Sequence, residues 1–567
     1  MPVQRTLLVG LDAACWEYLD PLLKAGRLPN IEKLMNDGAS GVLQSTMPPW
    51  TPTAWSTLVT GKNAGKHGVF DMLRHKPGDY EFAPINSRVR QGTPFWKYLN
   101  DAGVRVGLVN VPFSYPPASL DGFMVCGFGT PDAARDLTWP PDALAWIEGR
   151  FGPYEPVVST ELLRSGRAEE ILAAEKKHQA KLIEVGLALA EHHQVDVLVV
   201  NLMLTDHANH KMPNMELVHE AYLQSDADLG TLCNAFQPDN VLLISDHGSS
   251  RLKGDFLLNV WLREHGYCVY HKRTPAQKAA AFSGILRQWF HDHKGWSGRS
   301  ERILRRLLRV ALPRMPKAVR RRFWAKIESV IPFAEMHTKL STVPDFRRTP
   351  LFPGSLYSGL LYFNVAGREP SGVITAAERK TLAARLKEEL AQIREPATGE
   401  RLFTNVLTSD ELYHGPVAAD APDVIVDAYW SQWNIRTRQP AAHNGKQHDQ
   451  YFVTFDQHRD FGWHSPEGVF IFSGPAIQPG AAVNDAIEPY QGLLMDVPAT
   501  LLHIYDVPAP EDWDGRVLLE LLAPELSRRP IQIQPGDVEQ EAVDETAYST
   551  EEADSMVRHL RALGYLD

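Results

Sequence analysis

The sequence of 567 residues contains little cysteine: four residues, with no CxxC pair among them. This scarcity excludes a small disulfide-rich scaffold and argues against a zinc site built from thiolates. No apolar run reaches the roughly 18–20 residues that span a bilayer. The first residues also lack the apolar segment and cleavage site of a signal peptide, which predicts a cytoplasmic protein with reduced cysteines. Basic residues are fewer than acidic ones, with 58 Lys and Arg against 69 Asp and Glu, so no nucleic-acid partner is expected.

Apolar residues make up 44% of the chain and charged residues 22%, a composition typical of a soluble globular protein with several domains. Short apolar segments alternate with helical patterns, and such segments favour strands that are buried on both faces of a parallel sheet. This alternation predicts an α/β fold. The predicted strands are residues 6–11, 104–111, 195–204, 241–244, 423–426 and 469–472, and the longest predicted helix is 168–193.

A basic segment interrupts this pattern. Residues 294–326 contain 12 Lys and Arg but only one acidic residue, Glu301. Three hypotheses stay open for it: a solvated helix packed on the core, a cap whose arginines bind an anionic substrate, or peripheral membrane contact through Arg302–Lys326. The sequence carries no signal of oligomeric state.

The basic segment and an acidic stretch near the C-terminus divide the chain into predicted domains. Ser549 and Glu552 have the spacing of a capping box, which predicts a last short helix that ends near Leu563. The predicted domains are a first core segment at 1–265, an inserted basic helical cap at 266–345, the remainder of the core at 346–530, and an acidic linker with the C-terminal helix at 531–567.

Residues suited to metal binding lie next to four predicted strands. In α/β sheets, sites form beyond the carboxyl ends of parallel strands. An Asp and a His four residues apart at a helix start share one face, and an adjacent Asp-His pair in a loop can ligate one ion. Each residue alone is more often a helix cap or a satisfied polar group, but together they predict a site of carboxylates and imidazoles. They are Asp12, Asp206, His210, Asp246, His247 and His464.

Several motifs carry a resemblance to a known family. The N-terminal 70 residues include a Pro-Pro-Trp-Thr-Pro-Thr segment around Thr51, and TDHANH, SDHG and GWHSPEGVFIFSGP follow later. In this order they resemble the alkaline phosphatase superfamily, most of all its type I phosphodiesterase/nucleotide pyrophosphatase branch and the bacterial phosphohydrolase/phosphomutase relatives. The resemblance covers roughly residues 5–265 and 405–525. It implies a layered α/β/α core with a mostly parallel central sheet, and the basic cap inserted in it.

The resemblance also implies the roles of the candidate residues. Two divalent ions are expected, with Zn²⁺ as the first choice and Mn²⁺ as the alternative. Thr51 takes the position of the nucleophile and contacts the first ion, and Thr53 is the runner-up. His464 fits the last ligand position better than His443, His448 or His458 because GVFI follows it. The first ion is assigned to Asp12, Asp246 and His247, and the second to Asp206, His210 and His464.

The implied activity is two-metal hydrolysis of a small-molecule phosphoester, a diester rather than a monoester, through a phosphothreonine intermediate. The alternatives are a phosphomutase or phosphotransferase that uses an alcohol acceptor, and a binding protein that keeps the metal scaffold without turnover. The chain departs from the nucleotide pyrophosphatase pattern at Asp71-Met72, where the family has a phosphate-binding asparagine. Lys62 or Asn63 is the predicted replacement donor. A sulfatase is disfavoured because Thr51-Pro-Thr replaces the C/S-x-P-x-R pattern.

Overall fold

The structure is a computed structural model that describes most of the chain. The predicted basic cap with Arg302–Lys326 lies almost entirely outside the described residues, and so do His443, His448 and His458. The predicted roles of these residues therefore stay predictions. The described residues are 4–76, 78–132, 134–272, 342–354, 359–428, 431–437, 445–447, 451–455, 462–483, 493–536 and 548–564.

Strands occur throughout the described part of the chain. In chain order they are β1 (Thr6–Leu11), β2 (Gly38–Gln44), β3 (Leu73–His75), β4 (Phe82–Pro84), β5 (Val106–Val111), β6 (Gly122–Cys126), β7 (Thr138–Trp139), β8 (Val197–Leu202), β9 (Asn240–Ile244), β10 (Gly248–Arg251), β11 (Gly254–Leu257), β12 (Tyr270–Lys272), β13 (Thr342–Pro344), β14 (Leu351–Pro353), β15 (Leu360–Phe363), β16 (Asn405–Thr408), β17 (Val424–Asp427), β18 (Trp433–Arg436), β19 (Gly445–Gln447), β20 (Phe452–Phe455), β21 (Gly462–Ser465), β22 (Glu467–Ser473), β23 (Ala509–Pro510) and β24 (Ile533–Gln534).

The α-helices of the described residues alternate with these strands. They are α1 (Trp16–Lys24), α2 (Pro29–Asn36), α3 (Thr51–Thr60), α4 (Ala64–His67), α5 (Phe95–Asp101), α6 (Ala143–Phe151), α7 (Thr160–Arg164), α8 (Ala168–His193), α9 (Leu204–Lys211), α10 (Met215–Phe236), α11 (Leu258–Glu264), α12 (Glu378–Leu390), α13 (Ser409–Leu412), α14 (Asp496–Ile504), α15 (Pro524–Ser527) and α16 (Thr550–Leu563). None of them is long and apolar enough to cross a membrane.

The described residues form two compact units. The first comprises the described parts of 1–253, 385–434 and 457–567, and the second those of 254–384 and 435–456. The second unit begins before the predicted insertion at residue 266 and extends beyond its predicted end at residue 345. Because most of that insertion lies outside the described residues, the predicted domain boundaries stay a prediction.

An eight-stranded sheet forms the centre of the first unit, in the order β2-β22-β9-β1-β8-β5-β6-β7. The five strands from β9 to β6 are parallel to their neighbours, whereas β22 and β7 are antiparallel to theirs. Helices α2, α8 and α10 form one packed group on this sheet, and α3, α5 and α14 form another. The fold is therefore the predicted layered α/β/α arrangement around a mostly parallel sheet.

Continuous apolar segments produce the central strands, as the sequence predicts. All six residues of β1 and of β8 are buried. Gly10 in β1 allows a close approach of α3, because a Cβ atom there would lie 2.7 Å from the ring of Trp55 and 2.3 Å from Asn201 Oδ1. This contact places α3, all of whose residues are buried, directly against the strand that precedes Asp12.

The second unit contains short antiparallel strands and helix α11, which directly follows β11. Strand β20 pairs with β11 and β19, β12 pairs with β13, and β14 pairs with β15. Leu257, Val260 and Val453 form a small core against which Tyr451 packs. The Tyr451 hydroxyl also donates a hydrogen bond to Glu264 at 2.9 Å, which ties α11 to the strands.

Candidate active site and metal centre

Three adjacent parallel strands deliver most of the candidate ligands to one edge of the sheet. Asp12 directly follows β1, and Asp246 and His247 follow β9. Asp206 and His210 lie one turn apart on α9, which begins two residues after β8. Because β9, β1 and β8 are neighbours in the sheet, their carboxyl ends bring these side chains together.

His464 reaches the same place from an antiparallel strand. It lies within β21, which pairs with β10 so that His464 is opposite Ser249. Its Nδ1 atom lies 2.8 Å from the carbonyl oxygen of Pro49 and donates to it, which leaves Nε2 as the atom able to bind a cation. The ring stacks on that of His247, with 3.8 Å between the centroids.

The first ligand group consists of Asp12, Asp246 and His247, all of them buried. His247 Nε2 lies 3.3 Å from Asp246 Oδ2 and 3.8 Å from Asp12 Oδ1. Both carboxylate oxygens are buried without a hydrogen-bond partner. Burial and the nearby carboxylates raise the pKa of Asp12 well above its usual value and that of Asp246 to about 8. Protons or a cation must therefore neutralise this group.

The second ligand group consists of Asp206, His210 and His464, also buried. The Nε2 atoms of the two imidazoles are 3.0 Å apart, and Asp206 Oδ1 lies 3.3 Å from His210 and 3.6 Å from His464. Burial and the adjacent imidazoles, His247 and His210, hold the pKa of His464 well below its usual value. Burial alone would raise the pKa of Asp206, but His210 and His464 lower it overall.

Both groups fit a divalent cation. Ligand atoms around a tetrahedral zinc ion are separated by about 3.3 Å, as metal–ligand distances near 2.0–2.1 Å require. The separations of 3.0–3.8 Å in the two groups match this value. Carboxylates and imidazoles also suit Zn²⁺ and Mn²⁺, so the donor set does not distinguish between these ions.

Thr51 is the first residue of α3 and lies at the first group. Its Oγ1 atom is 3.1 Å from His247 Nε2. His247 Nδ1 lies 3.1 Å from the Gly248 carbonyl oxygen and donates to it, so Nε2 accepts from the Thr51 hydroxyl. Thr53 is buried too, but residues two apart on a helix face different directions. This geometry favours Thr51 over Thr53 as the nucleophile.

Lys62 and Asn63 lie far from Thr51. They follow the C-terminus of α3, whose ten residues span about 15 Å. Lys62 forms a 2.5 Å ion pair with Asp512, and the Asn63 amide bonds to Asp514 at 2.8 Å. Asn63 also caps α4. This placement argues against the predicted substrate-binding role, because both side chains contact structural partners at the wrong end of the helix.

Residues that support the ligands were missed by sequence reasoning. Asn201 donates from Nδ2 to Asp12 Oδ2 at 3.0 Å, and the Pro49 carbonyl orients His464. A polar residue inside the otherwise apolar strand VLVVNL was a signal that could have indicated Asn201. A backbone carbonyl such as that of Pro49 leaves no signal in the sequence.

Comparisons with known proteins identify the family and the fold. A family model described as type I phosphodiesterase / nucleotide pyrophosphatase matches residues 6–467. Phosphonoacetate hydrolase from Sinorhizobium meliloti 1021, solved with phosphonoformate, shares 15% identity and a TM-score of 0.51, over 88% of this chain and 96% of that one. Murine ectonucleotide pyrophosphatase / phosphodiesterase 5 shares 15% identity and a TM-score of 0.46, over 92% and 100%. No curated protein matches the chain. The likeness to the phosphonoacetate hydrolase bears on the fold.

Proposed function

The chain belongs to the type I phosphodiesterase / nucleotide pyrophosphatase family of phosphoester hydrolases, and from that premise we propose that it hydrolyses a small-molecule phosphodiester with Thr51 as the nucleophile. One observation carries the assignment. The Thr51 hydroxyl is buried at the start of a helix, 3.1 Å from His247, a member of the first ligand group. Its position there, rather than the motif alone, supports a catalytic role.

The two ligand groups are the proposed holders of two divalent ions. Asp12, Asp246 and His247 would hold one, and Asp206, His210 and His464 the other. Zn²⁺ is the first expectation and Mn²⁺ the alternative. When bound, such ions supply Lewis acidity that lowers the pKa of a hydroxyl nucleophile and stabilises the leaving oxygen of an in-line displacement.

Thr51 performs the covalent step in this proposal. Its Oγ1 forms a bond to phosphorus while the bond from phosphorus to the leaving oxygen breaks, which gives a phosphothreonine. The leaving oxygen takes up the proton of the Thr51 hydroxyl and departs as an alcohol, while the second ester group stays on phosphorus. Water then attacks phosphorus, releases a phosphomonoester, and restores the Thr51 hydroxyl. Trp50 offers no side-chain cap to α3, and Pro52 has no N–H, so the backbone N–H groups of Thr51 and Thr53 are the proposed donors to an anionic phosphoryl group.

A pair of threonine variants tests the nucleophile. Thr51→Ala should lower turnover of bis-p-nitrophenyl phosphate and p-nitrophenyl phosphate by about 10⁶-fold, the scale seen when a nucleophile is removed. Thr53→Ala is the matched control, because it removes a hydroxyl of the same type two residues further along the helix. This variant should retain most of the activity. Acid quenching of the active protein should leave phosphate on the peptide that contains Thr51, as measured by mass spectrometry.

The same assays separate the alternatives. Undiminished turnover by Thr51→Ala would contradict the nucleophile assignment. Transfer of phosphate to an added alcohol would indicate a phosphotransferase, and two bound metal ions without any turnover would indicate a binding scaffold. Phosphonoacetate belongs in the substrate panel because a hydrolase of that compound shares the fold.

A further inference from the structure

Helix α9 has contacts on a second side, away from the ligand group. Asp206 and His210 face the other ligands, whereas His207 lies between them in sequence and meets Glu175 of α8. His207 Nδ1 is 3.0 Å from Glu175 Oε2, and the two side chains are 12% and 5% exposed. A carboxylate this deeply buried requires a compensating partner, which His207 supplies.

A small cavity lined by both polar and apolar side chains adjoins this pair. Its volume is about 30 Å³, and its polar lining includes Glu175, His178, Gln179, His207 and His559. Glu175 Oε1, His207 Nε2 and His559 Nε2 are buried polar atoms without a hydrogen-bond partner. The cavity is large enough for an ordered water, which needs at least about 10–15 Å³. It is not a third metal site, since in the described residues only the two groups above bring three ligand atoms together.

Two further contacts hold the ends of α9. At its start, the backbone N–H of Leu204 donates to Gln179 Oε1 of α8 at 3.2 Å. At its end, Lys211 Nζ donates to the carbonyl oxygen of Ala562 in the C-terminal helix α16. The Glu175–His207 pair lies between these two anchors, so an eight-residue helix is fixed at its start, middle and end.

Such anchoring matters because the second group is assembled from two elements. His210 Nε2 of α9 lies 3.0 Å from His464 Nε2 of β21, and Asp206 Oδ1 lies 3.6 Å from the same atom. A helix free to rotate would move Asp206 and His210 together away from His464 and spoil the ligand geometry. Supporting partners of metal ligands are worth about 10–100-fold in metal affinity.

We propose that Glu175 is a positioning residue which, through His207, holds α9 in the orientation that presents Asp206 and His210 to the second metal ion. The inference rests on the proposed function only in that it takes the second group to be a metal site. Glu175 touches neither ligand, so its influence passes through the helix.

The test measures zinc affinity rather than activity. Competition of Zn²⁺ with a chelating dye should give two dissociation constants for the wild-type protein. Glu175→Gln, which keeps the volume and removes the charge, should weaken one site by about tenfold or more and leave the other unchanged. Glu184→Gln is the matched control, because it makes the same substitution on an exposed position of the same helix and should change neither constant.

Two double variants test whether Glu175 acts on the second metal site through His207. His207→Gln should weaken the same site, and adding Glu175→Gln to it should have little further effect, since residues that act through one another are not additive. In a His464→Gln background, which removes a ligand of the second group, Glu175→Gln should leave the remaining zinc site unaltered.

Three outcomes would overturn the proposal: unchanged zinc constants in Glu175→Gln, additive losses with His207→Gln, or equal weakening of both sites together with a lower melting temperature of the metal-free protein. The last would show a merely structural role. Zinc binding is measured without any substrate. A protein that binds zinc as expected but hydrolyses no phosphoester would therefore contradict the proposed function and leave this proposal intact.

Discussion

The two ligand groups lie at the same edge of one sheet, yet they differ in charge and in how they hold protons. The first has two carboxylates and one imidazole, and the second has one carboxylate and two imidazoles. Burial raises the pKa of Asp12 and of Asp246 in the first group, and repulsion from the nearby carboxylate of Asp206 raises both further. In the second, neighbouring imidazoles outweigh burial and lower the pKa of Asp206, while burial and the adjacent imidazoles keep His464 neutral.

This difference shows that similar ligand atoms do not make equivalent sites. A metal ion entering the first group must displace protons from carboxyl groups, because ligands bind in their deprotonated forms. In the second group the pKa of Asp206 and that of His464 are already lowered, and the cost of this site lies in holding two imidazoles and one carboxylate close together. The first site therefore depends on pH, and the second depends on the support of its helix.

Removal of one ligand from each group should have the largest effect. Asp246→Asn and His464→Gln should each reduce bound zinc from two equivalents to one, and each should lower turnover about 1,000-fold, since a catalytic metal is worth several kcal/mol. Elemental analysis of purified variants provides the metal count. Loss of both ions from either variant would show that the two groups bind as one cooperative cluster.

The number of protons released on zinc binding should give the next largest difference between the two groups. Below pH 8 Asp246 is mostly protonated in the metal-free protein, so zinc binding at pH 7 should release about one proton or more from the first group. The release should decline as the pH rises above 8. Calorimetry in buffers of different ionisation enthalpy measures it. The His464→Gln variant keeps the first group and should release nearly as many protons on zinc binding as the wild-type protein. If this variant released none, the protons would come from the second group instead of the first.

The smallest expected effect concerns the support of the first group. Asn201→Ala removes the donor to Asp12 and should weaken zinc at one site by about tenfold, as changes in supporting residues do. Asn240→Ala is the control, because it removes another buried amide, whose partners are Gln4 and Ala476. Equal zinc constants for the two variants would mean that Asn201 acts on stability alone.

Much of the core was predictable because strong local patterns produce it. Strand β1 and helix α8 have the predicted bounds, and β8 at Val197–Leu202 is shorter than the predicted 195–204. The Ser549–Glu552 capping box at the start of α16 is confirmed. These features depend on apolar runs and local spacing, which the sequence displays directly.

The parts of the site that depend on pairing between distant segments were harder to predict from the sequence. His464 precedes β22 as predicted, but it also lies inside β21, because β10, a strand without apolar character, provides its partner. Lys62 and Asn63 follow α3, whose length carries them away from Thr51, and their substrate-binding role stays a prediction. The Glu175–His207 contact joins two helices, and no spacing within one segment indicates it.

The hydrogen bond from His464 to the Pro49 carbonyl joins positions 415 residues apart, and this has a consequence for biosynthesis. Every ligand of the first group has been translated once His247 is made, whereas the second group waits for His464. At 5–20 residues per second, the roughly 200 intervening residues take about 10–40 s to synthesise. A nascent chain thus contains every ligand of the first group well before the second group is complete, and under the proposed function this order lets the first ion bind before the second.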